Sequence, residues 1–145
     1  MSRRRMLVAT VALLLTAGCS SADAGGTSES SSPPPGARDA VKRYVEALND
    51  RDVKALLDVG SAPDKPWSRK QADEIIRSKG GKGLTIMKAP IRYDLMGEYM
   101  GTVSLATSDS AGRSLRETVE LMHEKSHWHV VLFEWPSGDK ETSAT

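Results

Sequence analysis

A chain of 145 residues with 39 % hydrophobic and 27 % charged side chains has room for one small globular domain and the composition of one. Its formal charge of +1, with no basic stripe, excludes a nucleic-acid partner held by phosphate contacts. The only cysteine is Cys19, so there is no internal disulfide and the folded part has no thiolate nucleophile.

Ser2-Arg3-Arg4-Arg5 is a positive start, and Met6 to Ala17 is an uncharged, largely apolar run. About 12 residues suit the apolar stretch of a signal peptide and fall short of the roughly 20 that span a bilayer. The run ends in Leu15-Thr16-Ala17-Gly18-Cys19. This resembles the lipobox of bacterial lipoproteins, in which small residues precede an acceptor cysteine. The resemblance implies removal of residues 1–18 as a signal peptide. It also implies diacylglycerol on the Cys19 thiol and a mature protein lipid-anchored to the outer face of the cell membrane. Small residues admit the peptidase to the backbone, and the lipid transfer needs a thiol. Ser2 to Leu7 also resembles the twin-arginine export motif, so two export routes stay open. Without Arg3, Arg4 and Arg5 the chain keeps 17 basic against 19 acidic residues, a net of −2. That near-neutrality predicts no strong attraction to an anionic membrane surface. Residues 19–36 are rich in Ser, Gly and Ala and end in Pro33-Pro34-Pro35-Gly36. They cannot bury apolar surface and read as a disordered tether, spanning roughly 20–25 Å as a coil.

The domain proper is expected over residues 37–136, with a loose polar tail over 137–145. Val41, Tyr44, Val45 and Leu48 recur at helical spacing, with Asp39 as the expected N-cap. Asp52 is placed to cap a short second helix that buries Val53, Leu56 and Leu57 and ends at Gly60. Ser68 with Gln71 has the spacing of a capping box for a third helix. Ala72, Ile75 and Ile76 form its apolar stripe, and Lys79-Gly80-Gly81 stops it.

Strand patterning then takes over. Leu84–Asp94 is rich in β-formers, with Pro90 marking an edge or a bulge. A turn near Met96-Gly97 leads into Tyr99–Thr107, and a polar loop precedes Leu115–His123. A two-residue turn at Lys125-Ser126 sets Leu121 opposite Val130 and His123 opposite Trp128. Trp128–Trp135 is apolar on both faces, which predicts a central strand or a contact surface. Helices followed by consecutive antiparallel strands define an α+β class: three N-terminal helices packed on a curved antiparallel sheet of about four strands.

Tyr44-Val45-Glu46-Ala47-Leu48-Asn49-Asp50-Arg51-Asp52, then Leu56-Leu57, resembles the opening helix pair of the nuclear transport factor two-like superfamily. Glu120-Leu121 and Trp128-His129-Val130 resemble its closing strand pair. Many actinobacterial-type lipoproteins resemble this arrangement. The likeness implies a cone-shaped, cystatin-like sheet with a pocket at its wide end, as in the steroid isomerases. Tyr44, Tyr99, Val119, Leu121, His123 and Trp128 are the expected pocket residues.

No catalytic, cofactor or metal set emerges. The two-residue turn puts His123 on one face of its hairpin and His127 and His129 on the other, which argues against a three-histidine zinc site. Tyr44, Tyr93, Tyr99, Asp94 and His123 are of the types an isomerase or cyclase would use, but none sits in a recognisable catalytic motif. Ser78-Lys79-Gly80-Gly81-Lys82-Gly83-Leu84 lacks Gly-Lys-Ser/Thr and runs from helix to strand, the reverse of a phosphate loop. Val131, Phe133 and Trp135 share one face if the last strand is regular, and are the expected interface for a homodimer or an envelope protein. The expected function is therefore a membrane-anchored domain that binds a small apolar ligand or a protein. An isomerase- or cyclase-like enzyme and a dimeric structural envelope protein are the alternatives.

Overall fold

The structure is a computed structural model that describes residues 33–94 and 99–138. The signal segment, Cys19, the tether as far as Ser32, the expected Met96-Gly97 turn and the tail beyond Gly138 lie outside the described residues. Three helices come first: α1 (Ala37–Asp50), α2 (Val53–Val59) and α3 (Pro66–Lys79). Five strands follow: β1 (Thr85–Lys88), β2 (Ile91–Tyr93), β3 (Met100–Ser108), β4 (Ser114–Glu124) and β5 (His127–Val130). This is the α+β arrangement the chain pattern predicts. No helix among the described residues is long and apolar enough to cross a membrane.

The sheet is antiparallel in the order β1-β3-β4-β5, and β2 continues β1 along the same edge of β3. The break between them follows from sequence. A register shift between Ile86 and Lys88 marks a bulge, and Pro90, which has no N–H to give, stands just beyond it. Helix α1 lies against both β1 and β5, the two edges, so the sheet curls around it. Small residues make that close seat possible: Ala37, Ala40 and Ala47 are buried beside Val41, Tyr44, Val45 and Leu48. The sheet supplies Val103, Leu105, Val119, Leu121, Trp128 and Val130 from alternate positions.

The β4–β5 hairpin has the expected register, with Leu121 opposite Val130 and His123 opposite Trp128. Lys125 and Ser126 both take positive φ (50° and 70°), the conformation that a two-residue turn between right-twisted strands requires. Asp52 caps α2 as expected, accepting from Ala55 N at 3.0 Å.

Four expectations are corrected. Helix α1 starts at Ala37 with Gly36 as N-cap at φ 110°, not at Asp39, which lies in its first turn. The cause is an attachment upstream: Trp128 Nε1 donates to Pro34 O at 2.8 Å, so the last prolines of the expected tether belong to the fold. Ser68 is the third residue of α3 rather than its N-cap, because Pro66 starts that helix. Its hydroxyl still accepts from Lys65 N at 3.1 Å. Gln71 takes no part in capping. It clamps the C-terminal segment instead, donating to Glu134 O at 2.8 Å and accepting from Glu134 N at 2.9 Å. Finally, the run to Trp135 is neither a central strand nor a full one. β5 is an edge strand that ends at Val130, one further ladder bond joins Val131 N to Glu120 O at 2.9 Å, and the chain then leaves the sheet. It crosses to the helices, where Phe133 is buried against Gly60 and Trp135 meets Trp67 with ring centroids 5.2 Å apart.

Candidate functional site

The end of α3 and the start of β4 flank a half-open cavity of about 240 Å³. Its walls come from three places: Lys79 at the end of α3, Lys82 and Leu84 from the segment that follows, and Thr107, Leu115, Arg116 and Glu117 from β3 and β4. The segment from Gly80 to Leu84 has no regular structure, yet it is fixed from two sides. Gly81 N donates to Leu48 O at 2.8 Å, and Ser110 N from the β3–β4 loop donates to Lys82 O at 3.0 Å. The side-chain amide of Asn49 donates to Leu84 O at 2.9 Å and accepts from Leu84 N at 2.6 Å, pairing with the backbone as a neighbouring strand would. The β3–β4 loop is itself tied by Asp109, whose Oδ1 accepts from Ala111 N (3.0 Å) and Arg113 N (2.9 Å). Those backbone bonds from Arg113, with its guanidinium, hold the Asp109 carboxyl below the usual carboxylate range.

Inside this frame three polar groups meet. The Lys79 ammonium is paired with the Glu117 carboxylate and donates to Tyr44 Oη at 3.3 Å. The Tyr44 hydroxyl donates to Glu117 Oε2 at 3.5 Å. Tyr44 comes from α1, is 1 % exposed, and meets the Lys79–Glu117 pair through its hydroxyl. Burial, with the Glu117 charge beside it, pushes the phenol up to about 12, so it stays protonated. Partial burial pulls Lys79 down, but the Glu117 hydrogen bond and the neighbouring charges outweigh it and the net shift is upward. Lys79 and Glu117 therefore cancel. Lys82 and Arg116 also line the cavity, with Leu84 and Leu115 as its apolar members, and enter none of the ion pairs among the described residues.

The expected pocket residues do not share one cavity. Tyr44, Val119, Leu121 and Trp128 are packed in the core at 5 % exposure or less. Tyr99 is 53 % exposed and stacks on His123 at 5.7 Å, and His123 in turn tilts against Trp128 at 5.2 Å. The expected common face of Val131, Phe133 and Trp135 does not form either. Phe133 is 8 % exposed in the core, while Val131 and Trp135 are exposed at different places along the departing chain. His127 and His129 stand across the hairpin from His123, with their own ring centroids 6.2 Å apart. His127 Nε2 lies 3.2 Å from Ser61 Oγ.

Sequence reasoning missed Lys79, Lys82, Arg116 and Glu117. The one available signal is the Ser78–Leu84 run, which passes from helix to strand and in which two lysines bracket a helix stop.

No protein-family model matches the chain, and no curated protein matches it. Among solved structures, a candidate NTF2-like transpeptidase from Campylobacter jejuni is similar in layout. The two share 13 % identity at a TM-score of 0.47, over 64 % of this chain and 94 % of that one. That likeness assigns no role to any residue here.

Proposed function

We propose that this chain is an extracytoplasmic lipoprotein, tethered through lipid on Cys19, whose folded domain binds a small anionic amphiphile. The observation that carries the binding half is the composition of the 240 Å³ cavity: Leu84 and Leu115 as an apolar wall, with Lys82, Arg116 and Thr107 among the other lining residues. A carboxylate or phosphate headgroup suits the rim, and a short alkyl or aryl tail suits Leu84 and Leu115. The volume admits a ligand of roughly ten heavy atoms, smaller than a steroid. The tether half is supported by the lipobox spacing and by the position of the sole cysteine.

An acid–base enzyme is less favoured. The phenol of Tyr44 keeps its proton to about 12, and Glu117 is held by Lys79, so neither is a free base. Chemical-shift mapping with octanoate tests the binding site. Perturbations should centre on Leu84, Thr107 and Leu115; shifts confined to other regions would sink the assignment. Fractionation of cells expressing Cys19→Ser tests the tether. The variant should leave the membrane fraction or stall in processing, and full processing with unchanged membrane association would refute the lipid reading.

A further inference from the structure

A second concave feature, about 310 Å³, runs between α1 and the β1–β2 edge and shares no lining residue with the α3–β4 cavity. Its floor includes Val41 and Ile86, and Arg38, Lys42 and Lys88 line it with no acidic residue among them. The four ion pairs among the described residues involve none of these three cations. Met87 stands between them at 64 % exposure, the most exposed large hydrophobic side chain described.

Two occupants suit an apolar groove with a basic rim at a sheet edge: an acidic extended peptide, or an anionic lipid surface. The edge decides between them. Strand addition needs a regular row of free N–H and C=O groups. Here the ladder is broken by the bulge between Ile86 and Lys88, and Pro90 removes a donor. The same bulge carries Met87, an apolar tip flanked by cations, which is the pattern of an interfacial anchor.

The chain connection favours the same answer. Gly36 caps α1, so Arg38 and Lys42 follow directly where the expected tether enters the domain. The proposed tether, from Cys19 to Pro34, would have a coil span of roughly 20 Å, which would keep this helix within reach of the headgroups and raise its effective concentration there. The near-neutral overall charge does not reveal this local cluster, and Asp39, exposed in the first turn of α1 between Arg38 and Lys42, is not among the residues that line the groove.

We infer that the α1–β1 face is a docking surface for anionic lipid, with Arg38, Lys42 and Lys88 against headgroup phosphates and Met87 inserted at the acyl boundary. The tether supplies proximity only, so the test omits the lipid and the two readings fail separately. The processed chain, residues 19–145 with Cys19→Ser, is cosedimented with phosphatidylcholine vesicles with or without about one-third phosphatidylglycerol. Binding to the anionic vesicles should exceed binding to neutral ones by about tenfold or more, and should fall as salt rises toward roughly 0.5 M. The double variant Lys42→Glu/Lys88→Glu should abolish the preference, and Met87→Asp should weaken it about tenfold, both at unchanged melting temperature. Lys70→Glu, outside the groove, should leave it intact. Equal binding to both vesicle types, a preference that survives the double reversal, or capture of a Glu-rich peptide in place of vesicles would overturn the proposal.

Discussion

Two segments without regular structure are fixed by the same device and end in opposite states. Between α3 and β1, the Asn49 amide donates to and accepts from the backbone of Leu84. After β5, the Gln71 amide does the same with Glu134. In each case a helix side chain imitates a strand partner. What differs is the neighbouring side chains. Near the Gln71 clamp they are Trp67, Phe133 and Trp135, and the segment closes the core. Near the Asn49 clamp they are Lys79, Lys82 and Glu117, and a cavity stays open. Charged groups keep their solvation or find partners, so they cannot be packed dry as Phe133 is. A backbone clamp therefore fixes position, and the chemistry of the flanking residues decides between plug and pocket.

The largest expected effect tests the plug. Phe133→Ala should lower unfolding free energy by about 3–5 kcal/mol in denaturant titration, because a buried ring leaves a cavity. A loss under about 1 kcal/mol would make the segment a surface strap. Gly60→Ala probes the same contact from the other side. A Cβ there overlaps the Phe133 ring, and overpacking of this kind costs about 1–3 kcal/mol, measurable by thermal melting.

The two clamps should then separate. Asn49→Ala should cost about 2 kcal/mol, since it strands both the N–H and the C=O of half-buried backbone at Leu84. Gln71→Ala should cost about 1 kcal/mol or less, because its bonds are exposed and water replaces them. The reverse order would break the comparison.

The smallest effect is pH-dependent. His129 precedes the plug segment, is buried, and its Nδ1 has no hydrogen-bond partner. Burial lowers its pKa from 6.5, the nearby Glu124 charge opposing and that of His127 adding to the shift. The unfolded chain then takes up the proton first as pH falls. Stability should be full above 6.5 and decline as pH drops from there toward the folded value. His129→Gln should flatten that decline in melting curves recorded across the window.

The element order, the α+β class, the α2 cap and the hairpin register were legible because each rests on local chemistry: periodicity, Asp52, the Lys125-Ser126 turn. The helix α1 start was not, because the chain just before it is held at Pro34 by Trp128, 94 residues away. The last strand misled for a related reason. A run that is apolar on both faces also describes a chain that leaves a sheet to bury one residue elsewhere, and Phe133 does so. The expected pocket residues do not line the α3–β4 cavity, because the apolar ones among them pack on one another. Two charged residues that line that cavity, Lys79 and Glu117, lie 38 residues apart with no pattern linking them.

The most direct test of the anionic-pocket account is a calorimetric titration of the processed chain with octanoate and with octanol, equal in length and different in charge. Octanoate should bind about tenfold or more tightly than octanol, and Lys82→Glu/Arg116→Glu should remove that difference while the melting temperature holds. Equal affinities for the two, or an octanoate affinity untouched by the double reversal, would contradict the account.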